Sequence, residues 1–175
     1  MATTTVNYGT DAAFTMTGIE DVDSSTTWIG GWSSASVSNS SDKAMDYLIS
    51  GQFTLESANR TTGTSYIYVY AYAVLDDAPT WPDIFSSGTE GSVGAATVHS
   101  VEARDSGMRL LAAIVCNNTA SAVFTFPPTS LAALFGGVVP HTWALWVTSN
   151  ACTTTTDWCV SSGTTLYRMP IKYDV

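Results

Sequence analysis

Apolar and polar residues exchange places every second position over short runs from about Trp28 onward, with Gly, Asn, Asp and Pro between the runs. A period of two puts successive side chains on opposite faces of a strand, so each run reads as a short strand and each break as a turn. TTWIGGWSSASVS reads as a strand interrupted at Gly30-Gly31 by a bulge or bend. AMDYLISGQFTLES follows, then a turn over Asn59-Arg60-Thr61-Thr62-Gly63, then a long strand beginning at Tyr66. Further strands are expected at about 97–103, 108–116 and 121–126, in VVPHTWALWVTSN, and near 164–173. Asn117-Asn118 reads as a tight turn joining two of them. SSGTEGSVGAA reads as an exposed, mobile loop. One segment has helical character: in PPTSLAALFGG the prolines stop a strand, Thr129 or Ser130 can cap, and Gly136 can take the left-handed position past the end. The helix is short, near residues 129–135.

The run Tyr66-Ile67-Tyr68-Val69-Tyr70-Ala71-Tyr72-Ala73-Val74-Leu75 carries the sharpest alternation. Ile67, Val69, Ala71 and Ala73 suit a packed core. Tyr66, Tyr68, Tyr70 and Tyr72 form a ladder of phenols too apolar for free solvent and too polar for a dry core, the kind of face that meets a sheet edge, a glycan or another protein. Beyond it, Asp76-Asp77-Ala78-Pro79-Thr80-Trp81-Pro82-Asp83 reads as a turn with Trp81 at a contact tip. Trp143 and Trp146, three apart, are expected on opposite faces of one strand, in core or interface roles.

Short strands at regular spacing with one short helix predict an all-β, antiparallel two-sheet sandwich, jelly-roll-like. At 175 residues the chain makes one such domain over residues 25–175, with residues 1–24 as an N-terminal arm or edge strand.

Composition narrows the function. Charged residues are 12%, about half the usual share, and Ser and Thr make up about a quarter of the chain. The net charge is −9, and the six basic residues are scattered, so the basic footprint that a nucleic-acid partner requires is missing. No stretch approaches a membrane span, and the N-terminus lacks a secretory pattern, so synthesis in a cytosol is expected. Cys116 reads as core, while Cys152 and Cys159 bracket a Thr-rich loop and could pair as a disulfide in an oxidising setting.

Sites of chemistry are sparse. His99 and His141 belong to no nucleophile or metal signature. Asp46, Glu56 and Glu102 are the candidates for a hydrolytic carboxylate set, but their strands give no sign of one shared pocket. Asp76, Asp77 and Asp83 lack calcium-loop spacing and suit turn hydrogen bonds instead. The chain is therefore read as non-enzymatic, with no cofactor.

MDYLISGQF, YVYAYAVLDDAPTWPDIF, RLLAAIV and PPTSLAALFGGVVPHTWALWVTSN, in that order over roughly Trp28 to Asn150, resemble small virion structural proteins of tailed bacteriophages. The resemblance implies a jelly-roll decoration (cement) protein on the capsid exterior, made in the host cytoplasm. Its implied partners are the major capsid protein and copies of itself in a homo-oligomer such as a trimer, and it brings no catalytic residues. The alternative is a carbohydrate- or receptor-binding sandwich of a phage tail, with Trp81 and the tyrosines stacking on sugars.

Overall fold

The computed structural model describes residues 4–21, 24–56, 65–74, 80–117, 119–150 and 160–174. Among these residues run twelve strands: β1 (Thr5–Tyr8), β2 (Ala12–Ala13), β3 (Gly30–Ser33), β4 (Val37–Ser38), β5 (Asp46–Thr54), β6 (Ser65–Val74), β7 (Phe85–Ser87), β8 (Gly94–Val98), β9 (Arg109–Cys116), β10 (Val123–Ser130), β11 (Thr142–Ser149) and β12 (Thr165–Asp174). Two helices interrupt them, α1 (Val101–Gly107) and α2 (Leu131–Leu134).

The strands form two antiparallel sheets. The first runs β1-β12-β5-β10, with β2 also on β12, and the second runs β7-β8-β3-β11-β6-β9, with β4 also on β11. Taking β1/β2 and β3/β4 as interrupted single strands, the eight strands take the sheet order of a jelly roll, with β6 and β9 as sequential neighbours in the second sheet. The departure is an excursion between β6 and β9, which carries β7, β8 and α1 and adds β7-β8 to the edge of the second sheet beyond β3.

Burial explains why these runs are strands. β5 and β12 alternate, with Tyr47, Ile49, Phe53 and Leu166 fully buried between the sheets. β11 is buried at every position, because both of its faces are covered. Trp143 packs in the core between the sheets, against Phe14 and Tyr47, while Trp146 lies on the opposite face in a second cluster. The opposite-face expectation for this pair is what the structure shows. Phe14 and Ile19 are also buried in the core, so the N-terminal segment contributes edge strands and core side chains rather than a free arm.

Gly31 is where close approach demands a glycine. A Cβ there would overlap the Val147 carbonyl and stand 2.8 Å from the Trp146 ring. Gly31 is thus a seat for an indole within β3, and the register of β3 with β11 and β8 is continuous, so Gly30-Gly31 is not the expected bulge.

Three local expectations are corrected. The segment expected as a strand at 97–103 turns into α1 after Val98, because Ser100 caps it, accepting from the Ala103 N–H at 3.2 Å, with Glu102 in the first turn. β9 and β10 lie in different sheets, so the connection through Asn117 crosses the sandwich instead of closing a hairpin. β10 continues past Pro127 and Pro128 with a register shift, which an edge strand tolerates. By contrast, α2 begins at Ser130 as a cap and is followed by Gly136 at φ +74°, as its sequence predicts.

Candidate functional site

The tyrosine strand has the expected two faces. Ile67, Val69 and Ala71 are fully buried in the core between the sheets, and Ala73 packs against it. On the other face, however, much of the ladder is covered by the chain itself. Tyr72 is completely buried and Tyr70 nearly so, in a cluster with Ile84, Phe85, Val98, Met108 and Trp146. The cover is the excursion between β6 and β9, which crosses this face of the sheet. Tyr70 and Tyr72 as intermolecular contact residues are therefore corrected: the surface they meet is intramolecular.

Specific polar contacts hold the cover down. The Tyr72 hydroxyl accepts from the Gly91 N–H at 2.8 Å and shares a hydrogen bond with Ser33 Oγ at 2.7 Å. Burial pushes its pKa up to about 12, against the opposing pull of those two bonds. The Glu90 carboxylate turns inward and accepts from the N–H groups of Ile84 and Phe85 at 3.1 and 2.9 Å. The Gly/Ser loop is thus a β7-β8 hairpin pinned through Glu90 and Gly91, not the expected mobile segment. Trp81 lies on the Tyr72 ring, centroids 5.1 Å apart, and on Gly91, where a Cβ would stand 2.7 Å from the indole. Its place as a projecting tip is corrected to a half-buried lid over Tyr72. Arg104 on α1 is buried, donates to the Trp28 carbonyl at 2.9 Å, pairs with Asp105 at 2.8 Å and lies 5.4 Å from the Tyr70 ring centroid.

Tyr66 and Tyr68 remain half-exposed. Their rings stack in parallel at 5.8 Å, and Trp28 meets Tyr68 edge-on at 4.6 Å. Trp28 holds φ +59°, a left-handed conformation rare for a bulky residue. Beside them on β9, Leu110 and Val115 are 47% and 54% exposed. Cys152 and Cys159, the turn at 59–63, and Asp76 and Asp77 lie outside the described residues.

The other candidate carboxylates go elsewhere. Asp46 Oδ1 accepts from the N–H groups of Tyr47 and Ala132, fixing the start of α2. Glu102 is an exposed first-turn residue whose pKa is lowered by its hydrogen bond to Ser100. Glu56 shares a cleft of about 400 Å³ with Glu20, a pairing that sequence spacing did not bring together. Asp83 pairs with His99 at 3.1 Å. Among the described residues, no group of three or more His, Cys, Asp or Glu could hold a metal ion.

The face that sequence reading missed lies on the first sheet. In β12, Leu166 and Pro170 point into the sandwich, and Arg168 and Lys172 share their side at its rim: Arg168 over the Phe14 ring at 5.4 Å, Lys172 on Asp42 at 3.1 Å. The alternate positions, Tyr167, Met169, Ile171 and Tyr173, therefore point outward. Register places Val6 beside Tyr173, Tyr8 beside Ile171 and Leu48 beside Met169 on the same face. Tyr8 is 63% exposed, Val6 57% and Tyr173 52%. The one charged position of β1, β2, β5, β10 and β12 on this face is Asp46, already engaged by two N–H groups. Two adjoining clefts of about 250 and 340 Å³ meet at Ser50 and Tyr167. On a chain of net charge −9, this face carries an apolar band along β1, β12 and Leu48 that turns polar toward Ser50, Gln52, Thr125 and Thr165, with Asp11 and Arg168 in the wall of the first cleft. Its signal was present in LYRMPIKY, where both cations fall on one side and apolar side chains fill the other.

Compared with family models, curated proteins and solved structures, the chain matches none.

Proposed function

We propose that this chain is a non-enzymatic structural jelly roll that decorates the outside of a virus capsid, docking on the shell protein through the outward face of the β1-β12-β5-β10 sheet. The observation that carries this reading is the inverted β12, whose Tyr167, Met169, Ile171 and Tyr173 point to solvent while its basic residues point to the rim. A sheet face of this kind is a docking surface by composition: aromatic and Met residues are enriched, and charge is confined to its margin. The resemblance of its ordered segments to phage virion proteins favours the particle as the setting. The acidic charge suits an outer rather than a DNA-facing position.

The test is co-sedimentation of the purified protein with capsids that lack it. Binding is expected to be saturable and to raise the temperature at which the particles open. Tyr167→Lys and Met169→Lys, which place cations at the centre of the face, should abolish binding while leaving the melting curve of the free protein nearly unchanged. Particles that fail to retain the wild-type chain, or that retain both variants equally, would sink the reading.

A second reading rests on Trp28, Tyr66 and Tyr68. A half-exposed aromatic trio with a strained Trp backbone suits stacking on a neutral pyranose, as in a receptor-binding module. A glycan array discriminates: binding lost in Trp28→Ala would support this reading, and silence across the array would refute it.

A further inference from the structure

Sheet edges expose unpaired main-chain groups, and folded proteins normally blunt them. Three of the four edges described here are blunted. β10 carries Pro127, Pro128 and a register shift, and β7 is three residues long with its own shift against β8. β9 has a shift against β6 and is contacted by β10 and α2. The β1-β2 edge shifts register by one against β12 between Tyr8↔Ile171 and Ala12↔Arg168, so its regular stretch is confined to β1. Within that stretch, Thr5-Val6-Asn7-Tyr8 holds no Pro, no Lys and no charge, its pairing with β12 is regular, and all four residues are exposed.

The phase of its hydrogen bonding shows which groups are open. The Gly9 N–H donates to the Pro170 carbonyl at 2.8 Å, so Gly9 and Pro170 form a hydrogen-bonded pair. Such pairs alternate along an antiparallel ladder, so Thr5 and Asn7 also point their main-chain groups at β12. Val6 and Tyr8 therefore turn both N–H and C=O toward the edge that no other described strand pairs with.

We infer that β1 pairs antiparallel with β1 of a second copy about a twofold axis, joining two first sheets into one. The occupant is a second copy because the segment is self-complementary. Setting Val6 opposite the partner's Tyr8 satisfies both residues in each chain, with about four reciprocal N–H···O=C bonds, and leaves Asn7 opposite its own counterpart on the axis. The same register sets a β-branched residue beside an aromatic one on the outward face, a favourable cross-strand pair. It brings no two charges together, which matters for a chain at −9. The apolar face runs through Val6, Tyr8 and Tyr173, so pairing makes the faces of the two copies continuous.

Sedimentation of the full chain over a range of concentrations, with two edge variants and one cross-link, tests this inference. The wild type should be a monomer–dimer equilibrium that reaches dimer at high micromolar concentration. Val6→Pro removes an edge N–H, and Val6→Lys sets a cation beside the partner's edge. Each should weaken association by about tenfold or more, with the melting temperature of the dilute monomer held. Asn7→Cys should give a disulfide dimer on mild oxidation that the parent chain does not give, because Cα atoms of a non-hydrogen-bonded pair stand about 4.5 Å apart, within disulfide reach. A wild type that stays monomeric throughout overturns the inference, as does a trimer, a dimer that survives both Val6 variants, or an Asn7→Cys chain that does not cross-link. A monomer that still binds capsids would end this inference and leave the docking reading standing. A dimer that ignores capsids would do the reverse.

Discussion

Gly30→Ala and Gly31→Ala, single-methyl changes at neighbouring positions of one strand, should differ sharply in outcome. Replacing a strand glycine by alanine ordinarily stabilises by about 0.4–1 kcal/mol where the backbone permits, since the unfolded chain loses freedom. Both glycines have backbone that an L-residue can adopt, as neither lies in the left-handed region. Space decides between them. A Cβ on Gly30 meets nothing nearer than Ser25 at 3.8 Å, an ordinary contact. A Cβ on Gly31 overlaps the Val147 carbonyl and sits 2.8 Å from two carbons of the Trp146 indole. Neither neighbour can yield cheaply. Val147 is registered with both Trp32 and Val69, and the Trp146 ring is held by its bond to the Ala96 carbonyl at 3.2 Å and by Tyr70 at 5.8 Å. Overpacking of this kind costs about 1–3 kcal/mol, and the backbone clash puts Gly31→Ala at the upper end. In a domain of this size each kcal/mol moves the melting temperature by about 2–4 °C, so a fall of about 6–12 °C is expected. Gly30→Ala should melt at or slightly above the wild type. Thermal denaturation followed by circular dichroism measures both. Equal melting temperatures for the two variants would refute the assignment of Gly31 as the seat of Trp146.

Tyr72 is pushed up to about 12 by burial, so its neutral form is favoured on folding; that contribution is complete below pH 10 and lost between pH 10 and 12. It amounts to about 2–3 kcal/mol, and Tyr47 and Tyr70, also raised by burial, act in the same direction. Tyr72→Phe should flatten the alkaline limb of a urea-unfolding series while costing about 1–3 kcal/mol at neutral pH, because the Gly91 N–H loses its partner. Asp42 is held below 3.8 by its hydrogen bonds to Lys172 and then Tyr47, so its contribution is present above that value and fades as pH falls through the lowered one. With the Asp42 side chain 39% exposed, the contribution is under about 1 kcal/mol, and Asp42→Asn should remove that part of the acid limb and little else. Trp143 and Trp146 are both fully buried, but the Nε1 of Trp143 has no hydrogen-bond partner among the described residues, whereas that of Trp146 bonds Ala96. Trp143→Phe should therefore cost less than Trp146→Phe by about 1 kcal/mol, read from denaturant midpoints, with an equal or larger cost at Trp143 counting against this reading.

The sandwich was legible in the sequence because period-two alternation reports strands whichever sheet they join, and β5, β6, β11 and β12 all fall where that pattern puts them. What alternation cannot report is which partner covers a face. The tyrosines of β6 have the polarity of a surface that meets something, and so they do. For Tyr70 and Tyr72 the partner is the downstream segment from Trp81 to Met108, brought back by a crossing that no local pattern encodes. The helix α1 was hidden for a related reason: Val98, Val101 and Met108 suggest a strand, and only Ser100 with Glu102 marks the cap. For β12 the pattern was clear and its direction was not. An apolar side and a basic side imply, by default, that the apolar side is inside. The opposite holds because Leu166 and Pro170 share a side with Arg168 and Lys172, and the rim gives those cations an aromatic ring and a carboxylate to meet.

That inversion shows where the surface of the molecule is left unfinished. On the second sheet, an excursion with its own cluster, a buried Arg104 and the Tyr72–Gly91 bond covers the outward face over much of its width. On the first sheet no described segment does so, and the outward side chains of β1 and of β12 from Tyr167 to Tyr173 stay apolar, while Ser50, Gln52 and Thr165 make the neighbouring part polar. A chain with Ser and Thr at about a quarter of its positions had polar residues to spend on that face. Val6, Tyr8, Met169 and Tyr173 stand there instead, beside the least protected edge of the fold. A face and an edge exposed together are best explained by one assembly: the edge fixes how two copies lie side by side, and the joined face then presents one continuous surface. Multivalency converts that continuity into retention, since a dimer that engages two neighbouring shell subunits pays the ordering cost of association once. Capsid retention should accordingly fall more steeply for Val6→Lys than loss of a single side-chain contact would allow, and a parallel shift in retention and dimerisation across the edge variants is the expected signature.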